Sequence, residues 1–485
     1  MTETMSAART FSAFPRWQLD ATLTTLSPLH VGSGGDTERS GLYVSNDDGA
    51  ATRVRISAVS KDHRGLAYIP GASLRGALRA WVAKQDAVLA AAMFGGEKAA
   101  GFVEVRNAYF KSAAVKGLSA GDPVDGRHPY WCDQCATAVV ASVAIDRKTR
   151  TVAPEKLFHG EYVPPGVSFD VSIVAHGLEG SEIRILRDAL FALEHGGLGA
   201  ETGNGWGRLR VDDCTALTRT APASQPTSID VNTLVSPIGV GGGEIATSPQ
   251  ETYEVVITVE GGFLVNEPSR SKAKGQGAQP NDTRHNHMPR LDSKGRPYLP
   301  ARSFRGALRS QAERILRTLF GDPGACSTRK PCAAIKMPDD MKSRPRFGKD
   351  QFCIACRVFG GGGWRSRVSF SDFVPFVSSQ GEPKTAIQEF VAIDRFTGGA
   401  AGSRKFSAER AVNPVLVGSI TLAPTLTAEG RALLALVLRD LEEGDIAFGW
   451  GRAKGYGSAT ATVRPALNEP DLDSLLMLRG KSSNA

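Results

Sequence analysis

The chain of 485 residues contains no apolar run near the roughly 18 residues that a membrane helix needs, so no membrane span is expected. Its first residues, MTETMSAARTFSAFPRW, lack the apolar core of a signal peptide, which argues against export and for a cytoplasmic location. Cysteine is scarce. There are seven, an odd number, and four of them form two Cys-x-x-Cys pairs. In a chain that is not secreted, this usage favours metal sites or free thiols over a disulfide framework. Histidine is scarce too, with eight scattered residues and no paired motif.

What is present is positive charge, unevenly spread. The net charge is +8, but from Val265 to Phe370 there are 22 Lys and Arg against 8 Asp and Glu. A field concentrated in this way attracts polyanions. The chain also repeats itself. YIPGASLRGALRAW (Tyr68 to Trp81) returns as YLPARSFRGALRSQ (Tyr298 to Gln311). MFGG at Met93 is echoed by LFGD at Leu319, and GFVEVRNAYF at Gly101 by SRVSFSDFVPF at Ser366. VAIDR at Val143 recurs letter for letter at Val391, and GNGWGR at Gly203 recurs as AFGWGR at Ala447. Order is kept and spacing drifts only by loop-sized amounts, which is the mark of a tandem duplication.

The expected organisation is therefore a first domain over 1–217, a Gly/Ser/Pro-rich linker over 218–250, a second domain over 251–465 and a C-terminal tail over 466–485. Within each copy the pattern runs strand, helix, strands, helix, strand. WQLDATLTTLSPLHVG and YEVVITVEGGFLV alternate like half-buried strands. The echoed peptide opens a helix, with Ser73 and Ser303 as expected N-caps. Leu74, Ala77, Leu78 and Trp81 share one face, with Arg75 and Arg79 on the other. The fold class is α+β: two tandem ferredoxin-like (split βαβ) domains.

Three features suit a polynucleotide. Arg75 and Arg79, and likewise Arg302, Arg305 and Arg309, stand about one helical turn apart and can reach successive phosphates. The Gly-Trp-Gly-Arg turns free backbone N–H groups for an anion, with Arg208 and Arg452 as phosphate ligands and Trp206 and Trp450 stacking or filling core. A dinucleotide fingerprint is excluded there, because a helix precedes and a strand follows. Each VAIDR segment leads into a polar span and a strand, as hairpins do, with Arg147, Lys148 and Arg150 in one and Arg395, Arg404 and Lys405 in the other. Val152 or Phe396 would supply apolar surface at the tip.

Two features suit metals. Cys326, Cys332, Cys353 and Cys356 lie in an insertion too poor in apolar residues to fold by itself, and four thiolates fit a structural zinc ion. Cys132 and Cys135, preceded by His128, offer a second site, with His63 and His159 as guesses for its fourth ligand; Cys214 reads as a buried or free thiol. In HVGSGGDTE, Asp36 and Glu38 lie on a Gly-rich loop after the first strand, where a carboxylate can hold a divalent ion near a phosphate or deprotonate a ribose 2′-hydroxyl. In the second copy Asp282 is the best candidate, with Glu267 and His285 behind it, and Asp292 reads as turn chemistry.

LHVGSGGD, YIPGASLRGALR, the AIDR segments and GLGAETGNGWGR, in this order, resemble the RAMP superfamily, and within it the backbone subunits of type III CRISPR effector complexes. Two such domains in one chain are similar to the double-backbone subunits of type III-D-like systems. The resemblance implies RRM-like domains that grip guide RNA, stack along it and wedge a thumb hairpin into the guide–target duplex. It implies an aspartate in the first loop that supports cutting of target RNA with Mg2+ or Mn2+. The family's aspartate often stands three residues after the first glycine of the motif; here Gly35 holds that place and Asp36 follows. The implied partners are guide RNA, target RNA and the other subunits of the complex, with zinc as a structural ion. A scaffold that leaves cutting to other subunits is the second reading. A guide-processing nuclease is disfavoured by the lack of paired histidines.

Overall fold

In the computed structural model the described residues are 13–39, 54–96, 100–111, 137–146, 152–222, 224–230, 251–267, 271, 285–292, 294–326, 332, 352–362, 364–376 and 384–466. They form two units, each with its own hydrophobic core. No helix among them is long and apolar enough to cross a membrane.

The first unit contains β1 (Arg16–Thr25), β2 (Gly32–Arg39), β3 (Val54–Val59), α1 (Gly71–Gln85), α2 (Ala87–Phe94), β4 (Val103–Val105) and β5 (Tyr109–Phe110). It continues with β6 (Ala138–Ile145), β7 (Val152–Tyr162), β8 (Ser168–His176), α3 (Gly180–Phe191), α4 (Leu193–Gly196), β9 (Leu209–Arg219) and β10 (Thr227–Ile229). The second unit contains β11 (Glu251–Glu260), β12 (Gly262–Phe263), α5 (Ala301–Phe320), α6 (Ile354–Phe359), β13 (Val368–Phe370) and β14 (Val374–Pro375). It closes with β15 (Thr385–Ile393), β16 (Ala400–Val412), β17 (Val415–Leu422), α7 (Ala428–Glu442) and β18 (Ser458–Arg464).

The main sheets have matching orders, β9-β1-β8-β4 and β18-β11-β17-β13, and every pair in them is antiparallel. Numbered within each unit this is 4-1-3-2, the split βαβ arrangement expected from the sequence. β10 extends the first sheet beside β9, in a stretch whose composition reads as linker. The inward positions of β1, Trp17, Leu19, Ala21 and Leu23, pack with Leu74, Leu78 and Val82 of α1 and with Ile183, Leu186 and Leu190 of α3.

Structural equivalences test the letter echoes. The helix motif repeats in register: Ile69 bridges Ala108 just as Leu299 bridges Phe373. VAIDR does too, since Val143 pairs with Leu157 and Val391 with Lys405. The MFGG echo does not hold. Arg75 donates to the Phe94 carbonyl and Arg305, its counterpart, to that of Phe359. Phe94-Gly95 therefore corresponds to Phe359-Gly360, and Leu319-Phe320 is simply the end of the longer helix α5.

The N-caps also differ from expectation. Both helices start directly after Pro70 and Pro300, leaving Ser73 and Ser303 inside the first turn. The capping oxygen arrives from the connection between two later strands, β4 and β5 or β13 and β14: Asn107 Oδ1 accepts from Gly71 N at 2.8 Å, and Asp372 Oδ1 from Ala301 N at 2.7 Å. Burial pushes the Asp372 carboxyl above its usual pKa. A folded value above the unfolded one means that stability falls as pH rises through the carboxylate range. Asp372→Asn, copying Asn107, should flatten that dependence and be at least as stable at neutral pH. Asp372→Ala should cost about 1 kcal/mol. Urea unfolding at acid and neutral pH reads both.

Candidate nucleic-acid interface and metal centre

The Gly-rich turn of the first unit is not an open anion nest. Residues 201–206 press against the second unit. Arg305 Nη1 donates to Asn204 Oδ1 at 3.0 Å, and Arg302 lies 3.5 Å from Glu201. The Arg302 guanidinium also sits over the Trp206 ring at 5.1 Å and over Phe158 at 6.0 Å, and donates to Ser142 Oγ. Burial pulls the Arg305 pKa down to about 10, so these contacts offset a real desolvation cost. The helix-start arginines of the second copy thus hold the two units together instead of facing an open groove. In the first copy, Arg75 and Arg79 are exposed.

The turns repeat at a register that the letters conceal. Leu198 N donates to Gly207 O and Phe448 N to Gly457 O, at 2.8 and 2.9 Å. Ala200 N donates to His30 O and Trp450 N to Leu264 O. Positive φ falls at 199, 201, 205 and 207, and again at 449, 451, 455 and 457. The offset is therefore 250, not the 244 that superposes the two Gly-Trp-Gly-Arg strings. Trp206 corresponds to Tyr456, and Arg208 to Ser458. Arg208 is half-buried, its Nε donating to Glu194 O at 2.8 Å, whereas Arg452 is exposed on the second turn.

Both VAIDR segments end the first strand of a hairpin. β6 and β7 form one, on a sheet ordered β2-β3-β7-β6; β15 and β16 form the other, with β12. The repeated apolar letters are not core residues. Val143 and Ile145 are each 46% exposed, Val391 and Ile393 47% and 61%, and Phe396 at the tip is fully exposed. Arg395 stands beside it, exposed, on a turn whose N–H groups at Phe396 and Thr397 donate to Asp394. Lys405 is paired with Glu389 at 2.6 Å. Arg147, Lys148 and Arg150 lie outside the described residues.

Asp36 is exposed, but its segment is a strand and not the free loop expected. β2 pairs with β3, Asp36 opposite Ser57, after a bulge that begins at Gly32. Ser57 is in turn opposite Gly160 of β7, and Gly160 opposite Val140 of β6. Strands about 4.8 Å apart put Asp36 roughly 10 Å from the hairpin, on the same sheet. Asp282 lies outside the described residues. Glu267 is buried and paired with Arg290 at 2.7 Å, a structural use, and His285 Nδ1 lies 3.1 Å from Ser407 Oγ. Asp292 caps its turn, accepting from Lys294 N and Arg296 N at 2.9 Å.

The four cysteines of the insertion do converge. Their sulfurs all lie within 4.8 Å of one another, and those of Cys326 and Cys356 are 3.5 Å apart. Tetrahedral zinc–thiolate geometry requires sulfur separations of about 3.8 Å. Hydrogen bonds from Cys353 and Cys356 pull the Cys326 thiol below its usual pKa, while the same hydrogen bonds and burial push Cys353 and Cys356 up, so the negative charge is held on Cys326. Arg309 Nη2 lies 3.0 Å from Cys356 Sγ and its Nε 3.0 Å from the fully buried Glu313. Arg317 joins Glu313 to the Cys326 carbonyl. Arg309 is therefore turned toward the cysteines, away from any groove. The cluster can hold a metal ion. Cys132, Cys135 and His128 lie outside the described residues. Of the two guesses for a fourth ligand there, His63 is exposed and His159 is buried in the hairpin base; Cys214, read separately as a buried or free thiol, is half-buried and its pKa is raised by burial.

A family model, the RAMP superfamily, matches residues 22–210 and 233–460, which is most of both units. The chain belongs to the RAMP superfamily. Membership implies a CRISPR-associated, RNA-binding subunit. No curated protein matches the chain.

For a RAMP protein, the informative residues that sequence reasoning missed are those that aim the hairpin. Glu161 of β7 is fully buried, bonded to Lys61 Nζ at 2.9 Å, Thr137 Oγ1 at 2.7 Å and Val59 N at 3.2 Å. His30 Nδ1 meets the Glu161 carbonyl at 2.6 Å. This hub ties the hairpin to β3, the neighbour of the strand that carries Asp36, and through His30 to the segment just before that strand. A glutamate in an otherwise alternating strand was the only local signal, and its partners are distant in sequence.

Proposed function

We propose that this RAMP protein is a fused double-backbone subunit of a type III CRISPR complex, holding guide RNA and cutting paired target RNA beside its hairpins. The carrying observation is that Asp36 and the first hairpin share one sheet. A hairpin with exposed Val143 and Ile145, or Val391, Ile393 and Phe396, has the apolar surface needed to part stacked bases, and Arg395 would meet the backbone. Asp36, two strands or about 10 Å from Gly160 at the base of the first hairpin, would supply an exposed carboxylate on the same sheet. Mg2+ or Mn2+ would supply charge neutralisation at the scissile phosphate. Asp36 would hold the ion or take the 2′-hydroxyl proton, and Asp282 would serve the second hairpin. Guide RNA would be gripped through phosphates, by Arg75 and Arg79 in the first unit, by Arg452 in the second and by Arg147 and Lys148 at the hairpin. Zinc in the four-cysteine site would be structural, with further subunits of the complex as neighbours.

The scaffold-only reading is favoured by one fact. Among the described residues no group of three metal-binding side chains includes Asp36. The test is target cleavage by the assembled, guide-loaded complex. Asp36→Ala should abolish one product band, more than a hundredfold, while target affinity stays within about twofold. Persistence of every band would leave the scaffold reading.

A further inference from the structure

Each hairpin holds a cation at the same rung. In the first hairpin Ser142 of β6 pairs with Phe158 of β7, two residues along from the Val140–Gly160 pair that leads across β3 to Asp36. Two residues of strand span about 7 Å and return to the same face of the sheet. The rung therefore lies between the row of Asp36 and the exposed Ile145, one residue short of the exposed Val143. Arg302 reaches it from α5 of the second unit. Arg302 donates to Ser142 Oγ, and its guanidinium lies 6.0 Å from the Phe158 ring. The same guanidinium is 5.1 Å from the Trp206 ring and 3.5 Å from Glu201. Glu161 fixes the foot of β7, and Arg302 grips the hairpin three residues nearer its tip.

The register that sets Val391 against Val143 makes Phe390 the counterpart of Ser142 and Phe406 that of Phe158. These two also pair, and their rings stack at 4.9 Å. The cation here comes from the unit's own Gly-rich turn: Lys454 Nζ lies 5.3 Å from the Phe390 ring and 5.4 Å from that of Phe406. A ring face attracts a cation through its quadrupole, more strongly as water is excluded. The Arg302 side chain is 28% exposed and Lys454 is more open, so the first clamp is the stronger. The two cations are not copies of one another. Lys454 stands where the first unit has Asn204, and Arg302 where it has Ala72. Duplication alone does not explain why both rungs receive a positive charge; a shared demand at the rung does.

We propose that Arg302 and Lys454 are positioning residues that aim the two hairpins, the first hairpin taking its direction from the second unit and the second from its own turn. This rests on the reading that the hairpins part paired target RNA. A two-stranded ribbon is marginal by itself, so its direction follows whatever grips it below the tip. Because Arg302 belongs to α5, a shift of the second unit is passed to the first hairpin, which keeps the two in step along one duplex.

The experiment is amide hydrogen exchange on the RNA-free full chain, read separately for β6 with β7 and for β15 with β16. Arg302→Met keeps the length and removes the charge; it should speed exchange in the first hairpin about tenfold and leave the second unchanged. Lys454→Met should do the reverse, about threefold, and Lys454→Arg, which keeps the cation, should exchange as wild type. Arg302→Met also loosens the joint, so Ser142→Ala is the second variant. It removes only the hairpin's end of the hydrogen bond and should speed the first hairpin about threefold. Wild-type exchange in the first hairpin of either Arg302→Met or Ser142→Ala would overturn the proposal. So would a second hairpin indifferent to Lys454→Met, or one substitution that speeds both hairpins equally. In the guide-loaded complex, Arg302→Met should slow the product band that Asp36→Ala removes about tenfold, with target affinity unchanged. A band that survives Asp36→Ala defeats the nuclease reading alone, since the exchange rates involve no RNA; a band that needs Asp36 but ignores Arg302→Met defeats the positioning role.

Discussion

Replacing Cys356 with serine should abolish zinc binding by the four-cysteine cluster, as proposed for it, and lower the melting of the second unit far more than that of the first. Cys356 is fully buried on α6, and Ile354, Ala355, Val358 and Phe359 of that short helix enter the second core. Six residues cannot hold a helix unaided. What fixes this one is its cysteine-bearing start, clamped through Arg309 to α5. Structural zinc binds small domains with about 10–16 kcal/mol of apparent free energy, all of it coupled to folding. The second unit has its own core, so only part of that is at stake. A loss above about 4 kcal/mol is expected, a range reached by few mechanisms other than metal loss.

The measurement pairs metal content per chain with calorimetry. Wild type should carry one zinc ion, and a chelator should reproduce the effect of Cys356→Ser. Acid should release the metal as well, since thiolates are the ligands. A purified chain with no metal, and a second-unit transition that Cys356→Ser leaves in place, would remove the metal centre from the account.

How much of this was legible in the sequence depends on whether the signal is local. Alternation in WQLDATLTT and the 3.6-residue spacing of Leu74, Ala77, Leu78 and Trp81 are local, and the strand and helix they announce are present. VAIDR kept its register because a hairpin tip is set by nearby residues. The Gly-rich turn misled because letters and backbone follow different rules there. What repeats is the sign of φ, and Glu201 occupies a positive-φ position that Gly451 fills in the other copy. The chance recurrence of Gly-Trp-Gly-Arg then outscored the true alignment. The arginines misled for another reason. Arg75 and Arg79 are indistinguishable in pattern from Arg305 and Arg309, but among the described residues it is Arg305 and Arg309 that find Asn204, Glu313 and Cys356 waiting. Such partners come from a distant element, and spacing does not record them.

The same turn supplies the sharpest comparison, Gly205→Ala against Gly455→Ala. Both glycines occupy left-handed backbone, at φ +75° and +79°. Alanine there should cost each about 1 kcal/mol or somewhat more. Beyond that they differ in one respect. A Cβ on Gly455 meets nothing within 4 Å, whereas one on Gly205 lies 2.3 Å from the Phe370 carbonyl of the second unit. A backbone carbonyl in a paired strand does not move aside, so the turn must. Its retreat would break the Arg305–Asn204 hydrogen bond and part Arg302 from Glu201 and Trp206. Gly205→Ala should therefore release the two units from each other while each still folds. Small-angle scattering should show a larger radius of gyration, and calorimetry two independent transitions. Gly455→Ala should show a small loss of stability and no change of shape. Guide-dependent cutting should follow the same division, because two hairpins address one duplex only when the turn fixes their spacing. If both variants keep the wild-type radius, the joint rests on other contacts and the arginines of α5 become available again as phosphate ligands.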